Sequence, residues 1–230
     1  YWRCEKPDGA QMAVLETTRL AGPSRAKGTM NSRILVVRGG RVVDNKPRRQ
    51  CNILYNTLVN AMRGEIPQGV ERLTGKVTNV INSAERQTLT LSSGESVSAR
   101  LAIFASGLNV ALGKSLGIDR QMISADHSVS IGFDVAPKDG RAFDFEALTY
   151  VSERAADRLA YMTLFPIGPA KRANLFVYRD MADPWLATFR KAPRSALETL
   201  LPKLARIIGD FEVTDIPRIR PVDLVTARGH

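Results

Sequence analysis

Four runs in the second half of the chain constrain the fold most: "SVSIGFDV" (128–135), "ALTYVSER" (147–154), "AYMTLFPIG" (160–168) and "RANLFVYRD" (172–180). Each is short, rich in β-branched and aromatic residues, and bounded by turn residues, which predicts a sheet of four antiparallel strands. Such a sheet must bury a face. The segment that follows supplies the cover. Asp183-Pro184 is a helix start, a capping Asp with Pro at the first helical position, and Trp185, Leu186 and Phe189 form its apolar face. "SALETLLPKLARIIG" adds a second helical segment with Leu197, Leu200, Leu201, Leu204 and Ile208 on one side, which Pro202 should kink or divide. The tail "FEVTDIPRIRPVDL" reads as extended.

The first half changes period several times. "YWRCEKPDGAQMAVLETT" reads as two strands around Pro7-Asp8-Gly9, and "SRILVVRGGRVVDN" as a hairpin joined at Gly39-Gly40. "ILYNTLVNAMRGEI" is helical in spacing, with Ile53, Leu54, Leu58, Ala61 and Met62 recurring and Gly64 as a stop. Three short strands follow, "GKVTNVIN", "RQTLTLSSG" and "ESVSARLAIFASG", and then a helix-like "VALGKSLGI". The order of elements makes the chain α+β, or α/β carrying an inserted sheet.

Composition excludes more than it identifies. A hydrophobic content of 44% in 230 residues supports a proper core. No apolar run is long enough to span a membrane, and the polar start lacks a signal-like segment. A cytoplasmic setting is therefore expected. Tyr1 at the start, and His230 directly after "VTARG", read as cut edges of a longer chain. The net charge of +10 favours anionic partners. The basic residues scatter after modest clusters at 46–50, 170–174 and 218–221, so nucleic acid is not expected. Cys4 and Cys51 make no disulfide framework. With only His127 and His230, a zinc site or a His-based triad has almost no material, and no metal is expected.

The run "LAIFASGLN" (101–109) is apolar without alternation, as in a strand buried on both faces. It ends in Ala-Ser-Gly, where missing side-chain bulk lets a ligand approach the backbone. Alone, a plain strand-to-helix turn explains it as well.

Taken in order, the elements resemble the aromatic-ring hydroxylase family of FAD-dependent monooxygenases, the para-hydroxybenzoate hydroxylase-like enzymes. Leu54 and Leu58 fit its Leu-x-x-x-Leu helix, and Gly75, Val77 and Val80 its Gly-x-Val-x-x-Val strand. Ser106-Gly107 fits the strand end that carries Asp-Gly or Ala-Thr-Gly, and Leu116-Gly117 the end of the short helix. A sheet insert with "LFPIG", then "DPWL" and paired helices, is similar to the family's middle domain. Two family features are missing, the Gly-x-Gly-x-x-Gly turn and the Gly-Asp segment. Ser106 stands where Asp is usual.

The resemblance implies a division of the chain. Residues 1–120 would be a partial FAD-binding domain with N-terminal hairpins, and 121–230 a β-sheet substrate-binding domain truncated at its C-terminal end. It implies FAD as cofactor and NAD(P)H as co-substrate, with hydroxylation of a small aromatic substrate by O2 through a flavin hydroperoxide, and it leaves a homo-dimer open. Val77 would meet the adenine through its backbone, and Ser106, Gly107, Leu108 and Asn109 would border the dinucleotide. Tyr161, Phe165 and Pro166 would line the substrate side. No catalytic side chain is named, since the cofactor carries the hard chemistry. The alternatives are a flavin oxidoreductase of the same fold without hydroxylation, or a non-enzymatic binding domain. The 230 residues alone are expected to be colourless and inactive.

Overall fold

The computed structural model describes residues 4–105, 110–152 and 154–228. The elements run β1 (Cys4–Glu5), α1 (Gly9–Glu16), α2 (Ala21–Lys27), β2 (Thr29–Arg38), β3 (Arg41–Leu54), α3 (Tyr55–Gly64), β4 (Val77–Asn82), β5 (Gln87–Leu91) and β6 (Ser96–Ala99). They continue with α4 (Val110–Ser115), β7 (Asp119–Pro137), β8 (Ala147–Val151), a 3-10 turn (Ala155–Asp157), β9 (Leu159–Ile167) and β10 (Ala170–Val177). The last are α5 (Pro184–Lys191), α6 (Pro193–Leu200), α7 (Leu204–Ile208), β11 (Phe211–Val213) and β12 (Arg218–Arg228).

Two sheets result. A nine-stranded sheet has the order β1-β3-β2-β8-β9-β10-β7-β11, with β12 also paired to β7. The four expected strands form its centre, β8-β9-β10-β7, antiparallel throughout. The N-terminal hairpin joins them through a parallel pairing of β2 with β8. A second, antiparallel meander consists of β4, β5 and β6. The fold is mixed α and β, as the order of elements implied.

Contacts divide the chain into two compact units, one of residues 1–66 with 126–222 and the other of 67–125 with 223–230. The hairpin β2–β3 falls in the first unit because its strands extend the large sheet. Its turn needs Gly39 and Gly40, which stand at φ 55° and φ 70°, a region that glycine enters without steric cost. The Lys203 ammonium donates to the Gly39 carbonyl at 3.2 Å.

One face of the large sheet carries the core. Val129, Ile131, Phe133 and Val135 of β7, Leu148 and Tyr150 of β8, Met162 and Leu164 of β9, and Leu175 and Val177 of β10 are all fully buried. They pack with Leu186, Phe189, Leu197, Leu200, Leu201, Leu204 and Ile208 of the helical segment. The Asp183 carboxylate accepts from the Trp185 amide at 2.8 Å and starts α5, the usual way an acidic side chain satisfies a free helix-end donor. Pro202 separates α6 from α7, since it cannot continue a helix.

Three expectations need correction. The chain after Pro7-Asp8 is a helix and not a second strand. Asp8 accepts from the Gln11 amide while the Gln11 side chain accepts from the Asp8 amide, a reciprocal capping box that outweighs the turn signal. Ile53 and Leu54 close β3 and do not begin the helix; Ile53 pairs with Glu5 of β1. Leu101–Ala105 forms no strand, and Leu101 and Ile103 are 73% and 84% exposed. A doubly buried strand needs neighbours on both edges, and among the described residues no strand pairs with this run.

Candidate functional site

The opposite face of the large sheet is polar. Side chains alternate along a strand. Ser128, Ser130 and Asp134 of β7 therefore point away from the helices, as do Arg172, Asn174 and Phe176 of β10 and Tyr161, Thr163 and Phe165 of β9. The register aligns them in rows. Asp134, Arg172 and Phe165 form one, Gly132, Asn174, Thr163 and Thr149 the next, and Ser130, Phe176, Tyr161 and Val151 the third.

The charged and aromatic members of the outer rows are engaged, while Ser130, 8% exposed, makes no side-chain hydrogen bond among the described residues. The Arg172 guanidinium holds Asp134 by two hydrogen bonds, from Nε to Oδ1 and from Nη2 to Oδ2, the second at 2.8 Å. Both partners are largely buried, and the forked, charge-assisted geometry is the strong form of such a pair. Phe165 is buried with Ile34 and Ala147, and the Lys6 ammonium stands 4.2 Å from its ring centre, within cation–π range. Tyr161 and Phe176 stack with centroids 4.9 Å apart.

The middle row is different. The Thr163 hydroxyl oxygen is sealed from solvent and has no hydrogen-bond partner. Asn174, its register partner, is only 8% exposed, and its side chain makes no hydrogen bond among the described residues. Buried polar groups are normally paired, so the sealed Thr163 hydroxyl marks this row as a place where a partner is missing. Gly132, at its end, brings no side chain that could serve as one.

Elsewhere, an open cleft of about 300 Å³ is lined by Asp126, His127, Arg158, Tyr178, Arg179 and Asp180. Asp126 and Arg158 stand at φ 46° and φ 53°, the left-handed region that costs a residue with a side chain energy. Arg179 is pinned. It donates to Asp183 at 2.9 Å and to the Asp157 carbonyl at 3.0 Å, and lies over the Trp185 ring. Burial alone would raise the Asp183 carboxyl. The Trp185 amide, the Arg179 bond and the charges of Arg179 and Arg158 outweigh it and hold the group below the usual carboxylate range. His127 meets Tyr178 edge-on at 5.9 Å. The lining mixes both charge signs, which suits a solvated surface more than selective binding.

Of the expected site residues, Tyr161 and Phe165 share the polar face. Pro166 alternates onto the face of Met162 and Leu164 and is buried there. Val77 opens β4 in the other unit, opposite Leu91. Ser106, Gly107, Leu108 and Asn109 lie outside the described residues. The described residues thus offer one member of the expected FAD-contacting set, and the fit to a dinucleotide rests on 106–109. Among the described residues no group of three His, Cys, Asp or Glu could hold a metal ion, and no helix is long and apolar enough to cross a membrane. Reading the sequence for large aromatics misses Thr163, Asn174 and the Arg172–Asp134 pair. Asp134, Arg172 and Asn174 are present as polar alternate positions of "SVSIGFDV" and "RANLF", whereas Thr163 gives no such signal.

No family model and no curated protein matches the chain. Solved structures do. The p-nitrophenol 4-monooxygenase PnpA from Pseudomonas putida DLL-E4 matches 99% of the chain with a TM-score of 0.73 at 14% identity. Klebsiella pneumoniae HpxO, complexed with FAD and uric acid, matches 96% with a TM-score of 0.71 at 16% identity. CmlS, a flavin-dependent halogenase, matches 93% with a TM-score of 0.64 at 18% identity. The chain spans 60%, 58% and 42% of those three proteins. At these identities the likeness is one of architecture, and the large sheet with its small β-meander has the fold of the FAD-dependent aromatic hydroxylases.

Proposed function

We propose that this chain supplies the substrate-binding sheet and part of the FAD-binding region of a flavin-dependent monooxygenase that uses NAD(P)H and O2 to hydroxylate a small aromatic compound. In this reading residues 67–125 belong to the FAD-binding side and 126–222 to the substrate side, together with the hairpin β2–β3 that extends their sheet. The carrying observation is the polar face of the large sheet, whose aromatic rows flank an unsatisfied hydrogen-bonding row, in a fold shared with a nitrophenol monooxygenase and a uric acid complex.

Flavin, when bound, supplies the oxygen-transfer chemistry. The chain's own residues position the substrate. Tyr161 with Phe176 offers an aromatic wall; Thr163 and Asn174 offer directional bonds; the Arg172–Asp134 pair fixes the floor between β10 and β7. Val77 and residues 106–109 are the proposed cofactor contacts.

The test uses protein expressed from the complete reading frame that encodes this chain. Flavin absorbance, and NAD(P)H oxidation that accelerates on adding a phenol and yields a hydroxylated product, support the proposal. A colourless protein with no phenol-stimulated oxidation overturns it. The match to the halogenase CmlS favours one second reading, a flavin enzyme of the same fold that does not hydroxylate. Phenol-independent NAD(P)H oxidation without oxygenated product would support that reading.

A further inference from the structure

We infer that the row formed by Thr163 and Asn174 selects an uncharged ring whose edge carries a donor and an acceptor side by side, in preference to an aromatic carboxylate. The inference deepens the monooxygenase reading and rests on it for the reaction; the ligand class follows from the sheet face itself.

Three observations carry it. First, the Thr163 hydroxyl is buried and unpartnered, and Asn174 beside it is more than nine-tenths buried with no side-chain hydrogen bond among the described residues. Leaving a sealed hydroxyl unpaired is costly, so a ligand that pairs Thr163 gains more than one that meets a solvated surface. Second, both side chains are neutral, and each can donate and accept. An Asn amide matches a lactam edge, N–H beside C=O, with two parallel hydrogen bonds, and the Thr hydroxyl can serve a third polar atom after a single side-chain rotation. Third, the cations at the adjacent row are engaged. Arg172 is held by both oxygens of Asp134, and Lys6 stands over Phe165. A carboxylate entering here would lose its hydration without meeting an uncommitted positive charge.

Gly132 and the flanking aromatics complete the selection. Gly132 brings no side chain to the end of the row, and Tyr161, Phe176 and Phe165 bound it above and below along the strands. The surroundings therefore suit a flat ring with its polar edge toward Asn174.

The experiment measures equilibrium binding of 2-pyridone, phenol and benzoate by calorimetry to protein from the complete reading frame, and to its Thr163→Val, Thr163→Ser and Asn174→Ala variants. The expected order is 2-pyridone, then phenol, then benzoate, with at least tenfold between first and last. Thr163→Val should weaken 2-pyridone about tenfold and leave benzoate unchanged, and Thr163→Ser should restore most of the loss. Because Val removes an unpaired buried hydroxyl at constant shape, the thermal midpoint of the ligand-free Thr163→Val protein should hold or rise; a Thr with a purely structural role would lower it. Asn174→Ala should erase the preference of 2-pyridone over phenol. Benzoate binding as tightly as 2-pyridone, or a Thr163→Val protein that binds 2-pyridone normally, overturns the inference. Flavin content of the same preparations separates this from the function itself: a colourless protein that keeps the ligand order supports the row while sinking the monooxygenase.

Discussion

The two faces of the large sheet are built from the same strands by alternate residues, yet they obey opposite rules. On the helix face, Ile131, Phe133, Leu164 and Leu175 meet Leu186, Phe189 and Leu197, and every one of them is sealed. Burial there stabilises without conditions, since apolar area leaves water and nothing polar is stranded. On the other face, burial reaches Ser130, Thr163, Arg172 and Asn174. Those residues are stable only as far as each finds a partner. Arg172 has one, in Asp134; Thr163 has none. The comparison teaches where the fold is made and where binding can be built. The apolar face holds the sheet, and the polar face tolerates unpaired groups because the other side supplies the stability.

The largest effect should come from opening the apolar face. Phe189 is fully buried, 5.4 Å from Phe133 and 5.1 Å from Trp185 between ring centres. Phe189→Ala should cost about 3–5 kcal/mol in urea unfolding. A loss under about 1 kcal/mol, far below the usual range for such a truncation, would mean that the helices do not seal the sheet. Next comes the paired part of the polar face. Asp134→Ala leaves the Arg172 charge buried without its carboxylate. It should cost about 3 kcal/mol, again by urea unfolding. If it is neutral, the pair is solvated and the two faces differ less than argued.

Smaller is the helix start that serves the apolar face. Asp183→Ala removes the cap of α5 and a partner of Arg179. The loss should be about 1 kcal/mol, the typical worth of a helix cap. Its pH dependence has a defined sign. The folded-state carboxyl lies below its ordinary value. Its contribution is therefore fully present above about pH 4 and is lost as pH falls through the lowered folded value. The difference in stability between the parent and Asp183→Ala should shrink on acidification below about pH 4, and a constant difference would contradict the bonding described. At the bottom of the scale stands Thr163→Val, where no loss of stability is expected at all.

Much of this is legible in the sequence, for identifiable reasons. The four central strands announce themselves by β-branched and aromatic runs between turn residues. Asp183-Pro184 and Pro202 mark helix boundaries through local chemistry that no tertiary contact needs to assist. The apolar positions 197, 200, 201, 204 and 208 read as one face, and all five are buried. The N-terminal segment misleads because a reciprocal bond between Asp8 and Gln11 competes with a turn signal of the same length. Leu101–Ala105 misleads because apolar composition states a preference for burial and does not supply the strand that would satisfy it.

The site is less legible than the fold. Tyr161 and Phe165 stand out by being large and aromatic, whereas Thr163 between them gives no signal of its own. A Thr in a strand is ordinary until its neighbours are known. The register decides that Asn174 and not an apolar residue stands beside it. It also decides that Arg172 is already occupied by Asp134, which lies 38 residues earlier in the chain.

The sequence by itself determined the elements of the large sheet and its helical cover, because strand alternation, capping and proline breaks act over a few residues. It also determined that β7 and β10 each have one apolar and one largely polar set, since the period of two is written along the chain. Only the tertiary structure decided which polar residues share a row, which are paired and which are left over. Those outcomes depend on strand order and register, and hydrogen bonding between strands sets them across distances that no local pattern encodes.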